Sequence, residues 1–66
     1  MKNDVARLRA GTGLTQAALA SLVGVSRQTI HSIEKGRHVP GLVLAFAIAD
    51  ALHADVEAVF DVRDTG

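Results

Sequence analysis

The chain has 66 residues, with seven basic and seven acidic side chains, zero formal net charge at pH 7 and no cysteine. This length fits one domain over residues 1–66, with its core at 4–60 and a frayed tail at 61–66, and leaves no room for a separate ligand domain. The missing cysteine excludes disulfides and thiolate metal sites. No signal peptide is recognisable at Met1, and the longest apolar run, 39–49, is too short to span a bilayer. We therefore expect a cytoplasmic protein without a membrane segment. We also expect no cofactor and no small-molecule ligand.

Helical spacing of the apolar residues predicts an all-α fold. Thr15 is an N-cap candidate, and Ala18, Leu19 and Leu22 follow at spacings that form one apolar face of a helix. Gly24 lies where this helix needs a left-handed residue to end. The result is a first helix that stops sharply before a second begins.

A second helix follows within about four residues, which is the turn length of a helix-turn-helix unit. Ser26 is its N-cap candidate, Ile30 and Ile33 form its buried edge, and Gly36 ends it. The pair therefore has the layout of a unit that reads duplex DNA with its second helix.

The outward side of that second helix is polar. At 100° per residue, Gln28 and Lys35 point away from the core, with His31 and Ser32 beside them; we call these four residues the polar stripe. The remaining polar residues, Arg27 and Thr29, lie on the sides of the helix. Gln, Arg, Ser and Thr side chains suit base edges and phosphates, and His31 has the chemistry for either. A merely solvated surface is the alternative, which the glycine-bounded helix pair disfavours.

The next predicted helix, at 42–52, carries Asp50 as its single charge and is apolar nearly all round. Five of its residues suffice for a core contact: Leu42, Ala45, Ile48, Ala49 and Leu52. A short fifth helix starts at Asp55. Since a small monomer has no interior for the remaining apolar residues, we predict a homodimer through the last two helices. A monomer with scattered exposed apolar residues is the alternative. The predicted dimer interface comprises Val43, Phe46, Ala47, Val59, Phe60 and Val62.

Charge is unevenly distributed along the chain. Residues 1–38 hold six basic and two acidic side chains, whereas residues 39–66 hold one basic and five acidic ones. A clustered basic face is the electrostatic footprint of a nucleic-acid binder. The histidines share no ligand spacing and have no cysteine partners, so we expect no metal site. No Ser, His and acid set is apparent either, and we expect no enzyme.

The sequence resembles the xenobiotic-response-element (XRE) family, relatives of the lambda-type phage repressors and Cro, over roughly residues 4–60. The resemblance is carried by Leu8-Arg9, Gly13-Leu14-Thr15-Gln16, Leu19-Ala20, Gly24-Val25-Ser26-Arg27-Gln28-Thr29-Ile30, Ile33-Glu34-Lys35-Gly36-Arg37 and Pro40, with a later echo at Ala45, Ile48-Ala49, Ala51-Leu52, Val56-Glu57 and Phe60. It implies a five-helix, lambda-repressor-like DNA-binding domain whose helices 2 and 3 form the helix-turn-helix.

The resemblance also implies roles for individual residues. Bases would be contacted by Ser26, Arg27, Gln28 and Ser32, to which we add His31. Phosphates would be held by Gln16, Lys35 and Arg37, to which we add Thr29. Arg9 would pair with Glu34, tying the first helix to the third.

Together these features predict a transcriptional regulator that binds double-stranded DNA, as a homodimeric repressor of a palindromic operator. Activation is equally compatible with the residues. An antitoxin whose acidic C-terminus contacts a partner is one alternative, and a protein-interaction module that keeps the fold without reading DNA is another. Gln16, Arg27, Gln28, Lys35 and Arg37 argue against the second alternative, because a scaffold does not need them.

Overall fold

The computed structural model describes residues 1–61, and in that range it contains five helices and no strand. They are α1 (Val5–Thr12), α2 (Gln16–Val23), α3 (Arg27–Glu34), α4 (Leu42–Ala51) and α5 (Val56–Val59). The all-α, five-helix prediction is confirmed. Of the predicted frayed tail at 61–66, Asp61 is described and its N–H donates to Lys2 O at 3.2 Å, whereas residues 62–66 lie outside the described residues.

The helix ends that position α2 and α3 are built as their sequence indicates. The Thr15 hydroxyl accepts the Ala18 N–H at 3.0 Å, and the Ser26 hydroxyl accepts the Thr29 N–H at 3.1 Å. Gly24 ends α2 in the left-handed conformation, with φ +77°. Each cap satisfies a backbone group that the helix itself leaves without a partner, so both helices have fixed ends.

The core gathers apolar residues from every helix. Its fully buried large side chains are Val5, Leu19, Ile30, Ile33, Ile48 and Val59. Two expected core residues lie outside it: the side chain of Leu22 is 64% exposed and that of Leu42 is 73% exposed. In α2 the inward face is instead formed by Leu19 and Ala20, with Val23 packed at its edge. The periodicity gave the apolar face of α2 but misplaced its centre.

Residues before α1 pair with residues after α5. The Asp4 N–H donates to Val59 O at 2.8 Å, the Asp61 N–H donates to Lys2 O at 3.2 Å, and Asn3 and Phe60 form an isolated antiparallel bridge. The chain thus closes on itself. Nothing in the local sequence around residues 3 and 60 indicates this contact.

This closure corrects the predicted dimer interface. Val59 and Phe60 were expected near a two-fold axis, but their exposed fractions are 1% and 2%, so they belong to the core of a single chain. The reason is that the chain leaves α5 extended, with Phe60 at φ −118°, and runs along residues 2–4, which turns both side chains inward. Val62 lies outside the described residues.

None of the helices within residues 1–61 has the length and apolar character that crossing a membrane requires.

Candidate nucleic-acid interface

The helix pair α2–α3 is joined by a short rigid turn. Both the Gly24 and the Val25 N–H groups donate to Ala20 O, the latter at 3.0 Å, before Ser26 starts the next helix. On the other side of α3, Ile30 and Ile33 are completely buried. The orientation of α3 is therefore fixed by its caps and by its packing, leaving the opposite side free for contacts.

The residues predicted to contact bases lie on the accessible side of α3. Arg27 and Gln28 are exposed in its first turn, and His31 and Ser32 are half-buried in its middle. Ser26 is exposed just before the helix, but its hydroxyl is occupied as the cap and also lies 3.0 Å from the Thr29 hydroxyl. The structure thus brings these residues together at the N-terminal and central part of one helix.

The residues predicted to contact phosphates are more scattered. Lys35 and Arg37 are exposed immediately after α3, and Thr29 is half-buried in its first turn. Gln16 is the first residue of α2 and is half-buried. The cations therefore lie at the C-terminal end of α3, where they also match the negative pole of the helix dipole.

Arg9 and Glu34 were expected to pair. In the structure Arg9 Nε lies 2.6 Å from Glu34 Oε2, and Arg9 Nη2 lies 3.3 Å from Glu34 Oε1. The pair is largely shielded, with side-chain exposures of 19% for Arg9 and 6% for Glu34. Arg9 Nη1 also donates to Leu14 O at 2.9 Å. This bidentate contact joins α1 to the end of α3 and to the loop before α2.

Gln16 extends the ion pair toward the polar stripe. Its Nε2 atom donates to Glu34 Oε1 at 2.9 Å and lies 3.4 Å from His31 Nδ1. Spacing alone could not have revealed these contacts, because 15 and 18 residues separate Gln16 from its partners. A polar residue at the start of a capped helix was the signal available, and it suggested only phosphate binding.

The charge of Glu34 is secured by these contacts. Burial acts to raise the pKa of its carboxyl, but the hydrogen bonds from Arg9 and Gln16, together with the positive charge of Arg9, outweigh burial and hold that pKa below its usual value. For the same reason the pKa of Arg9 is raised, mainly by its hydrogen bond to Glu34. The pair is ionised throughout the neutral range.

A separate surface of exposed apolar residues lies on α4. Val43 is 85% exposed and Phe46 is 56% exposed, whereas Ala47 is half-buried. Phe46 also lines an open groove with residues of α5 and the preceding Asp55. Of the predicted interface, Val43, Phe46 and Ala47 thus remain accessible; we call them the α4 apolar surface.

No group of three or more His, Cys, Asp or Glu side chains that could hold a metal ion occurs among residues 1–61.

Comparison with known proteins agrees with this geometry. The sequence profile of a family described as "Helix-turn-helix domain" matches residues 4–60. The chain is 50% identical to the uncharacterized HTH-type transcriptional regulator YgzD of Bacillus subtilis, over 60 residues and 91% of each chain. It is 48% identical to an uncharacterized HTH-type transcriptional regulator of Methanocaldococcus jannaschii, over 64 residues and 97% of each chain.

Two solved structures are also similar. The restriction-modification controller protein C.AhdI of Aeromonas hydrophila aligns over 85% of each chain, with a TM-score of 0.79 and 32% identity. An HTH_3 family transcriptional regulator of Vibrio cholerae aligns over 83% of this chain and 31% of its own, with a TM-score of 0.72 and 34% identity. With its capped α2–α3 unit and accessible polar stripe, the chain belongs to the helix-turn-helix family and is a small XRE-like, DNA-binding transcriptional regulator.

Proposed function

We propose that two copies of this chain bind one palindromic DNA operator and repress transcription from it. The observation that carries the proposal is the polar side of α3, held outward by the complete burial of Ile30 and Ile33 and by the Ser26 cap. A helix fixed in this way presents its first turns to the major groove.

Base recognition is assigned to the N-terminal and central part of α3, with Ser26 just before it. Arg27 has the geometry to bond guanine O6 and N7, and Gln28 to bond adenine N6 and N7. Ser26, His31 and Ser32 supply shorter side chains for neighbouring base edges. Each good contact of this kind discriminates by about 1–3 kcal/mol, so one helix alone has modest selectivity.

Phosphate contacts are assigned to residues on the side of α3, beyond its end and at the start of α2. Lys35 and Arg37 are exposed cations beyond α3, and Thr29 carries a hydroxyl in its first turn. Gln16 keeps its predicted contact through its backbone N–H, which the first residue of a helix leaves without an intrahelical partner. These contacts fix the register of the protein on the duplex without reading sequence.

Dimerisation is assigned to the α4 apolar surface. A charged or polar residue would suit an exposed position better than Val43 or Phe46, whose exposure in water is unfavourable. Because Val59 and Phe60 are core residues, the interface rests on α4 rather than on α5. A two-fold pair places two reading helices in successive major grooves, about 34 Å apart, and doubles the discriminating contacts.

A regulatory role is also supported by the similarity to C.AhdI, which is named as a restriction-modification controller protein and aligns over 85% of each chain. We infer that the protein is not an enzyme, because its conspicuous polar residues are explained by DNA contacts and by the α1–α3 tie.

Selection of bound duplexes from a random library tests the proposal, at about 0.1 M salt so that weak electrostatic binding is screened. We expect a palindrome with half-sites one helical turn apart. In parallel, the mass in solution is measured against concentration for the wild type and for Phe46→Asp. The wild type should be dimeric and the variant monomeric but folded. A folded wild-type dimer that enriches no sequence would contradict DNA reading and favour a partner-binding module, whereas a wild-type monomer at every concentration would contradict the dimer.

A further inference from the structure

Four polar side chains form a continuous chain of contacts from α1 to the middle of α3. Arg9 donates to Glu34, Gln16 Nε2 donates to the same carboxylate at 2.9 Å, and Gln16 Nε2 also lies 3.4 Å from His31 Nδ1. We call these residues the relay. Its first members are largely shielded from solvent, and its last member belongs to the polar stripe.

The Arg9–Glu34 ion pair determines which atom donates and which accepts in the contacts that follow it. A carboxylate paired with Arg9 has no hydrogen to donate, so both Glu34 oxygens act only as acceptors. The Gln16 amide must therefore present its nitrogen to Glu34, because its oxygen in that place would put two acceptors in contact. The ion pair thus decides which way the amide of Gln16 points.

The same nitrogen then decides the state of the imidazole. An amide nitrogen is a donor only, and it faces His31 Nδ1. A hydrogen on Nδ1 would oppose the amide hydrogens, so Nδ1 must carry its lone pair and the ring hydrogen must lie on Nε2. We propose that Gln16 is a positioning residue for DNA reading: its amide orients the His31 ring so that Nδ1 accepts and the ring hydrogen lies on Nε2, and His31 thereby presents a donor to the duplex.

This assignment rests on the proposed function and makes it more specific. As a donor only, the accessible imidazole nitrogen suits guanine O6 or N7, adenine N7, thymine O4 or a phosphate oxygen. It is unable to accept from the amino groups of cytosine or adenine. With its amide hydrogens directed at Glu34 and His31, the side chain of Gln16 acts on DNA through the ring that it orients, while the backbone N–H stays available to a phosphate.

The state of the ring is tested first in the free protein. Long-range proton–nitrogen NMR of the imidazole at about pH 8, where free imidazole is uncharged, reports which nitrogen carries the hydrogen. We expect the wild type to show His31 with Nε2–H alone. Gln16→Met keeps the side-chain volume but removes the contact, and should shift the Nδ1 resonance toward a mixture of the two forms. Arg7→Ala, at an exposed position of α1 outside the relay, is the control and should leave the spectrum of His31 unchanged. A hydrogen on Nδ1 in the wild type, or identical spectra with and without Gln16, would overturn the assignment.

The effect on DNA reading is tested by a double-mutant cycle with the selected operator. Gln16→Met and His31→Ala should each weaken binding about 3- to 10-fold, which is the range expected for one net hydrogen bond. If Gln16 acts through His31, the double variant should be no weaker than the weaker single variant. Arg37→Ala, an exposed position beyond the end of α3, combined with His31→Ala should instead show multiplied losses.

The outcomes separate the two levels of the proposal. All variants are first verified as folded by circular dichroism at the assay temperature. Multiplied losses for Gln16→Met with His31→Ala would refute the relay while DNA reading stands. A wild type that binds no duplex would refute the proposed function, and the NMR comparison would still decide the hydrogen position on the ring.

Discussion

Replacing Glu34 by alanine should destabilise the fold far more than its single charge suggests. The substitution leaves the shielded Arg9 guanidinium and the Gln16 amide without their partner. Breaking a buried pair in this way costs about 3–5 kcal/mol. The cost is reduced in two ways. Arg9 still donates to Leu14 O at 2.9 Å, and its side chain is 19% exposed and therefore partly hydrated. We therefore expect a fall of about 2–3 kcal/mol in the free energy of unfolding.

That fall is large for a chain of this size, whose total stability is about 3–10 kcal/mol at the usual value per residue. The midpoint of thermal unfolding should drop by roughly 8–24 °C, at about 4–8 °C per kcal/mol for small domains. Circular dichroism at neutral pH measures it. Arg7→Ala is the matched control, because Arg7 also pairs with a carboxylate, that of Asp4 at 3.0 Å, but both side chains are exposed. The midpoint of thermal unfolding of Arg7→Ala should not differ measurably from that of the wild type.

The stabilisation contributed by Glu34 depends on pH, and its sign follows from the direction of the pKa shift. Because folding lowers the pKa of Glu34, its contribution is fully present above the pKa of an unfolded glutamate, about 4.3, and is lost as the pH falls through the lower folded value. The stability difference between the wild type and Glu34→Ala should therefore narrow in acid. A drop no larger than that of Arg7→Ala, or a difference that stays constant below pH 4, would refute the reasoning.

Three further predictions concern DNA reading, the turn and the core. Gln28→Ala should relax base preference at one operator position, whereas Lys35→Ala should weaken all sequences alike and reduce the salt slope by about one, as measured by titrations at several salt concentrations. Gly24→Ala should destabilise by about 1–2 kcal/mol because φ is +77°, and Gly11→Ala, inside α1 with open space around it, should stabilise by about 0.5–1 kcal/mol; denaturant unfolding compares them. Phe60→Ala should lower the free energy of unfolding by about 3–5 kcal/mol, because Phe60 is a core residue, and thermal unfolding measures the loss. If Phe60 were an interface residue, the stability of the monomer would stay unchanged.

Local sequence signals predicted the helix-turn-helix well, because its determinants are short-range. Thr15 and Ser26 cap helices whose backbone groups lie within three residues of them, and Gly24 adopts the conformation that a side chain disfavours. Such features depend on the chain immediately around them. They can therefore be predicted without knowing the contacts between distant segments.

The features that sequence reasoning misplaced depend on contacts between distant segments. Leu22 and Val23 are neighbours on the apolar side of α2, and only packing decides that Val23 lies against the core while Leu22 is exposed. Phe60 has no local pattern that separates an interface residue from a core residue; its burial follows from the bridge to Asn3. The relay is similar, since the partners of Gln16 lie in another helix.

The bridge between Asn3 and Phe60 has a consequence for synthesis on the ribosome. The α2–α3 unit emerges before Val59 and Phe60, which supply two of the side chains buried in the core. Until residue 60 has been released, Asp4 lacks its acceptor on Val59 and the nascent chain holds an incomplete core. DNA affinity is therefore acquired only after residue 60 has emerged, and a product truncated before residue 59 should be a substrate for proteases rather than a weak competitor for the operator.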